Sequence, residues 1–78
     1  MTNTQRAEVA EKVLRYFGTL VPNDDDIKTL SVDLISDLCH LLNRKGIDPN
    51  EVFRRSLEHF DAEHYQEGRD FLRNNYGV

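Results

Sequence analysis

The sequence is poor in the residues that often stabilise very small proteins. Among its 78 residues there is no tryptophan and one cysteine, Cys39, so no internal disulfide can form. No run of about 18 apolar residues is present, which argues against a membrane-spanning helix. The first residues lack the apolar segment of a secretory signal peptide. We therefore expect a cytosolic protein in which Cys39 acts as a small apolar side chain.

Basic residues are also scarce. Ten lysines and arginines face 14 acidic residues, which gives a net charge of −4. Since attraction to phosphate supplies most non-specific affinity for nucleic acid, this balance disfavours a nucleic-acid partner. The 38% hydrophobic content is enough for a folded domain, and the length predicts one domain over residues 1–78. A domain this short buries only about 60% of its chain surface, so self-association would stabilise it.

The sharpest local signal lies between two predicted helices. Gly46 can adopt the left-handed conformation that closes a helix. Asp48 can cap the next helix, Pro49 suits its first position, and Glu51 can complete a capping box. This segment predicts a tight helix-to-helix turn and indicates architecture, without indicating a substrate.

Apolar residues at helical spacing predict the first two helices. Helix 1 is expected over residues 4–17, ended by Gly18, and helix 2 from Asn23 or Asp24 to Arg44, unbroken at Ser31. The expected inward positions are Ala7, Ala10, Val13, Leu14 and Phe17 in helix 1, and Ile27, Leu30, Leu34, Leu38 and Leu41 in helix 2.

Helix 3 is predicted to begin at Pro49. It either continues to about residue 74 and overhangs the others, or bends near Gly68 into a short fourth helix from about Arg69. One face is expected to carry Val52, Phe53, Leu57, Phe60 and a partly buried His64. The predicted fold class is all-α: a small antiparallel bundle of three main helices with that possible C-terminal fourth helix.

Helix 2 carries more apolar residues than one packed face requires, and the C-terminal segment would expose others. Such surfaces usually mark an interface. We expect a homodimer, formed through helix 2 or the C-terminal segment, that also offers a surface to a protein partner. The candidate interface residues are Val32, Cys39, Phe71, Leu72 and Tyr76.

A candidate metal site lies on the polar side of helix 2. Asp33, Asp37 and His40 are spaced at i, i+4 and i+7, so two carboxylates and an imidazole could approach one cation. The alternative is a solvated surface whose charges are balanced by Arg44. No nucleophile with triad spacing and no phosphate-binding glycine loop is present, so no catalytic residue and no cofactor are predicted from the residues themselves.

The turn at Gly46 resembles that of helix-turn-helix DNA-binding proteins. Lys45 and Arg55 stand where that family usually has apolar residues. Arg54 and Arg55 lie among acidic residues, which does not make a basic face. DNA binding is therefore the third hypothesis, and an ordinary helical hairpin accounts for the same residues.

Residues 36–48, in which an aspartate-bearing apolar helix runs into a Gly-Ile-Asp turn, resemble the MazG-like all-α nucleoside triphosphate pyrophosphohydrolases. That family holds magnesium with a Glu-x-x-Glu pair and a Glu-x-x-Asp pair. The resemblance would assign Glu8 and Glu11 to the first pair and Asp37 to the last position. Leu34 occupies the remaining glutamate position, with Asp33 beside it. It implies a Mg²⁺-dependent nucleotide pyrophosphohydrolase as the alternative function.

The same segment is similar to short helical proteins of phages and other mobile elements, a similarity that brings no activity with it. The leading expectation from the sequence is accordingly a binding role. We expect a small interaction or regulatory module that self-associates, with the pyrophosphohydrolase as the enzymatic alternative.

Overall fold

The structure is a computed structural model that describes the backbone of residues 1–22 and 26–76, and the side chains of these residues up to Asp70. It contains three helices: α1 (Asn3–Leu20), α2 (Ile27–Arg44) and α3 (Pro49–Tyr76). Each helix contacts both others. Among the described residues there is no strand. The all-α prediction is confirmed.

Helix α1 is longer than predicted at both ends. Thr2 caps it in a reciprocal capping box: its hydroxyl accepts from the Gln5 N–H at 3.1 Å, and the Gln5 side chain accepts from the Thr2 N–H at 2.8 Å. The predicted stop at Gly18 is wrong, because the helix continues to Leu20. A helical glycine costs only about 1 kcal/mol relative to alanine, so its presence alone does not end a helix.

Helix α2 begins later than predicted, at Ile27, and its cap is Asp26. The Asp26 carboxylate accepts from the Thr29 N–H at 3.0 Å and from the Thr29 hydroxyl at 2.8 Å. The predicted caps Asn23 and Asp24 lie outside the described residues. Ser31 does not interrupt the helix, as predicted, and its hydroxyl donates to the Ile27 carbonyl at 2.7 Å within it.

The turn between α2 and α3 has the predicted left-handed Gly46 and the predicted Asp48 cap. Gly46 has φ of +73°, and its N–H donates to the Asn43 carbonyl at 3.2 Å. The Ile47 N–H donates to the Leu42 carbonyl at 2.9 Å, which completes a Schellman motif. Asp48 then accepts from the Asn50 N–H at 3.0 Å at the start of α3.

Helix α3 is continuous from Pro49 to Tyr76, so the predicted alternative of a bend near Gly68 and a fourth helix from Arg69 is wrong for the described chain. At 1.5 Å per residue it is about 42 Å long, against about 27 Å for α1 and for α2. One isolated glycine is again not enough to break a helix. Part of α3 therefore extends beyond the other two helices.

The buried core is smaller than the sequence predicts. Among the described residues only Leu14 of α1 and Leu30 of α2 are buried, at 7% and 0% exposure. Several side chains expected to face inward are exposed instead, because the neighbouring helices do not cover the predicted apolar stripes along their whole length. They are Ala7, Ala10, Val13, Ile27, Leu38, Leu41, Val52, Phe53, Leu57 and Phe60.

Candidate protein-interaction surface

The chain exposes far more surface than a compact monomer of its mass. A compact 9.1 kDa protein should expose roughly 4,900 Å², whereas this chain exposes 6701 Å². Its radius of gyration is 15.9 Å, against roughly 11.5 Å for a compact domain of this length. The three helices alone therefore leave about 1,800 Å² that a compact fold would bury.

A ridge of large side chains runs along α3. Phe53, Leu57, Phe60 and His64 follow one another at intervals of four, three and four residues, the spacing of a coiled-coil seam. Leu57 and Phe60 are 61% and 60% exposed, and Phe53 is 37% exposed. The Phe60 and His64 rings stack with centroids 5.7 Å apart. We call these four residues the α3 ridge.

His64 was predicted to be partly buried, and that prediction is wrong. Its side chain is 75% exposed, with Nδ1 4.0 Å from a Glu67 carboxylate oxygen. The ridge to which it belongs is the one predicted from the sequence. What the sequence did not reveal is that this face stays largely exposed beside α1.

A second exposed ridge lies on α1 and was not predicted. Val9, Val13, Tyr16 and Leu20 repeat the same four-three-four spacing and are 48%, 52%, 66% and 65% exposed. We call them the α1 ridge. The spacing is visible in the sequence, but Val13 was predicted to belong to the inward face of α1.

Polar contacts fasten α1 to the middle of α3. The Asn3 side-chain amide donates to the Glu63 carbonyl at 3.0 Å and to the Glu67 carboxylate at 3.1 Å. Arg6 forms an ion pair with the Glu63 carboxylate. Between Asn50 and Asp70, Glu63 is the only residue of α3 that is even half-buried. The described polar contacts between α1 and α3 therefore come from charged and amide groups, while the apolar ridge of α3 stays largely exposed.

An open hollow of about 310 Å³ lies beside this attachment. Phe60 and His64 of the α3 ridge border it on one side, and Ala7 of α1 borders it on the other. The ridge therefore adjoins a concave surface that can accommodate a side chain from another molecule.

The predicted interface residues fall into two groups. Val32 is 59% exposed and Cys39 is half-buried on α2, with Ile35, 40% exposed, on the same side of the helix. The other three, Phe71, Leu72 and Tyr76, have side chains outside the described part of the structure. The exposure of Val32 makes it available for a contact.

The structure does not bring Asp33, Asp37 and His40 together as a metal site. Among the described residues, no group of three or more histidine, cysteine, aspartate or glutamate side chains is close enough to hold a metal ion. All three residues lie on α2.

The acidic residues that the pyrophosphohydrolase resemblance assigns to α1 also belong to no group that could hold a metal ion among the described residues. Glu8 and Glu11 are exposed and border a surface hollow with Lys12 and Arg15 of the same helix. The described geometry therefore offers no assembled set of magnesium ligands.

Of the two arginines in the DNA-binding hypothesis, Arg54 and Arg55, the first is paired with acidic neighbours. Arg54 contacts a Glu58 carboxylate oxygen at 2.6 Å and a Glu51 carboxylate oxygen at 3.3 Å. Binding a phosphate there would compete with both carboxylates. The helix after the turn thus presents a locally neutralised surface.

The comparisons with known proteins supply no family. No protein-family model matches the chain, and neither the curated proteins nor the solved structures include a match. Within residues 1–22 and 26–76, no helix is long and apolar enough to cross a membrane.

Proposed function

We propose that this protein is a small helical interaction or regulatory module of the cytosol that self-associates through exposed apolar helix faces. The observation that supports the proposal most directly is the excess of exposed surface over that of a compact monomer. The binding function is to present a paired helical surface, either to other copies or to a protein partner.

The size of the uncovered surface fits a homodimer. A standard specific interface buries about 800 Å² on each partner, and interfaces of permanent dimers bury more and are more apolar. The excess on this chain, about 1,800 Å², falls in the range of the permanent class. In each protomer we propose an antiparallel bundle, because short connections usually join antiparallel neighbours. The connections here are residues 21–26 and 45–48.

The proposed contacts include the exposed ridges and the residues predicted from the sequence. On α2 these are Val32 and Cys39, and in the C-terminal turns of α3 they are Phe71, Leu72 and Tyr76. Aromatic and aliphatic side chains of this kind supply most of the stabilisation in helix-to-helix recognition.

Sedimentation velocity over a wide range of protein concentrations tests the proposal. We expect a species of twice the 9.1 kDa chain mass to grow as the concentration rises. A single species of monomer mass at every concentration would rule out self-association.

A further inference from the structure

We infer that the homodimer forms by antiparallel pairing of two α3 ridges about a two-fold axis between Leu57 and Phe60. This inference rests on the proposed self-association and adds the face, the direction and the register. In this arrangement Leu57 of one copy packs on Phe60 of the second copy, and Phe53 packs on His64 of the second copy.

The α3 ridge suits pairing with itself. It spans 12 residues, about 16 Å from its first to its last Cα, and two of its four members are phenylalanine. A buried aromatic side chain removes roughly 150–250 Å² from water, so two copies of this ridge would bury a large apolar area. With the axis between Leu57 and Phe60, each ridge residue of one copy lies opposite a ridge residue of the second copy.

Charge complementarity selects the antiparallel direction. Arg54 and Asp61 lie on the same side of the ridge, roughly 80° from its centre on a helix of 3.6 residues per turn. In the antiparallel pair, these flanking positions face each other across the seam. Arg54 then meets Asp61 of the second copy, and the symmetry repeats the pair. Within one chain the two residues are seven apart, too far along the helix to be adjacent.

A parallel pair would lose this complementarity. It would stack His64 on His64 of the second copy and leave Arg54 without an acidic group opposite it. The contacts of Arg54 with Glu51 and Glu58 do not prevent the antiparallel pair. A guanidinium has five donors, and all three side chains are more than half exposed.

The other flank of the ridge has no conflict of charge. Ser56 and Glu63 lie there, and Glu63 is already paired with Arg6 of its own chain. The antiparallel register places Ser56 opposite Glu63 of the second copy, so no like charges meet.

The residues beside the α1 ridge do not select a direction of pairing. Its flanking positions on the solvent side hold Lys12 and Thr19, which form no complementary pair in either direction. The charges around the α3 ridge therefore distinguish it from the other exposed apolar surfaces of the chain.

Charge reversal tests the register. Arg54→Glu places a glutamate opposite Asp61 of the second copy, and Asp61→Arg places an arginine opposite Arg54 of the second copy. Each variant converts two attractive pairs into two repulsive ones, so we expect its homodimer to weaken about tenfold. An equimolar mixture of the two variants should form a heterodimer with both pairs restored. Sedimentation and native mass spectrometry would measure both effects.

The matched control is Arg55→Glu, which makes the same change of charge on the opposite side of α3 and should leave dimerisation unchanged. The double variant Arg54→Glu/Asp61→Arg restores complementarity within one sequence and should dimerise like the native chain. Circular dichroism would establish that each variant keeps its helices.

The outcomes separate this inference from the proposed function. If the native chain dimerises but neither the mixture nor the double variant recovers association, the α3 register is wrong while self-association stands. If the native chain is monomeric throughout, both are wrong. Recovery in the mixture and in the double variant, with no effect of Arg55→Glu, supports the antiparallel α3 pair.

Discussion

The first two helices and the third use their apolar residues differently. Leu14 of α1 and Leu30 of α2 are buried, whereas Leu57 and Phe60 of α3 are about 60% exposed. Helix α3 makes polar contacts with α1 through Asn3 and the Arg6–Glu63 ion pair. An apolar stripe therefore indicates which face of a helix can pack against another surface, and it does not indicate which molecule provides that surface.

The largest effect should come from the buried side of this comparison. Replacing Leu30 by alanine removes a fully buried side chain and should lower the free energy of unfolding by about 2–5 kcal/mol. Leu57→Ala is the matched change on α3. In dilute protein it should cost less than about 1 kcal/mol, and its cost should grow as the protein is concentrated. Urea titrations at two protein concentrations would measure the free energy of unfolding of both variants. Equal losses of unfolding free energy for the two variants in dilute protein would contradict the difference between buried Leu30 and exposed Leu57.

A smaller effect should follow from loosening the polar attachment of α3. Asn3→Ala removes the bonds to the Glu63 carbonyl and the Glu67 carboxylate and should cost about 0.5–1.5 kcal/mol. Hydrogen exchange should become faster in α3 around residues 63–67 and should change little in α2. The exposed neighbour Thr4→Ala serves as the control. Unchanged exchange in α3 would show that Asn3 does not hold this helix.

A still smaller effect should appear on the α1–α2 side as the pH falls. Hydrogen bonds from the Thr29 hydroxyl and backbone N–H hold the pKa of Asp26 below its ordinary value. A lowered pKa stabilises the fold above the ordinary value of about 3.9, and this contribution disappears as the pH falls through the lowered value. Asp26→Asn cannot titrate, so its melting temperature should fall less than that of the native chain between pH 7 and pH 3. Parallel pH profiles for the two proteins would contradict this role of Asp26.

No effect is expected from the acidic residues of the pyrophosphohydrolase alternative. With Mg²⁺ and a panel of nucleoside triphosphates, the proposed binding role predicts that the native chain releases no pyrophosphate. Asp37→Ala is the matched control for any background activity. Release that this substitution abolished would support the pyrophosphohydrolase alternative instead of a binding module.

The sequence predicts the local structure of this protein better than its tertiary packing. The cap and turn around Gly46 follow from local backbone chemistry, and the structure confirms φ of +73° there. The predicted helix end at Gly18 and the alternative bend at Gly68 are wrong, because neighbouring helical hydrogen bonds outweigh the cost of a single glycine.

The candidate surface could be predicted only in part. The four-three-four spacing of both ridges is visible in the sequence, yet Val13 and Phe60 were assigned to an internal core. Which stripes are covered depends on how the helices pack, and a periodic pattern does not encode that arrangement. The attachment through Asn3 and Glu63 joins residues 60 positions apart, and no local signal indicates it.

The dependence of thermal stability on protein concentration tests the central claim most directly. If a second copy covers the exposed apolar surface, folding and association are linked, and the melting temperature must rise with concentration. The account predicts this rise, and predicts that Arg54→Glu reduces it. A melting temperature that is independent of concentration, together with a monomeric mass, would contradict the account.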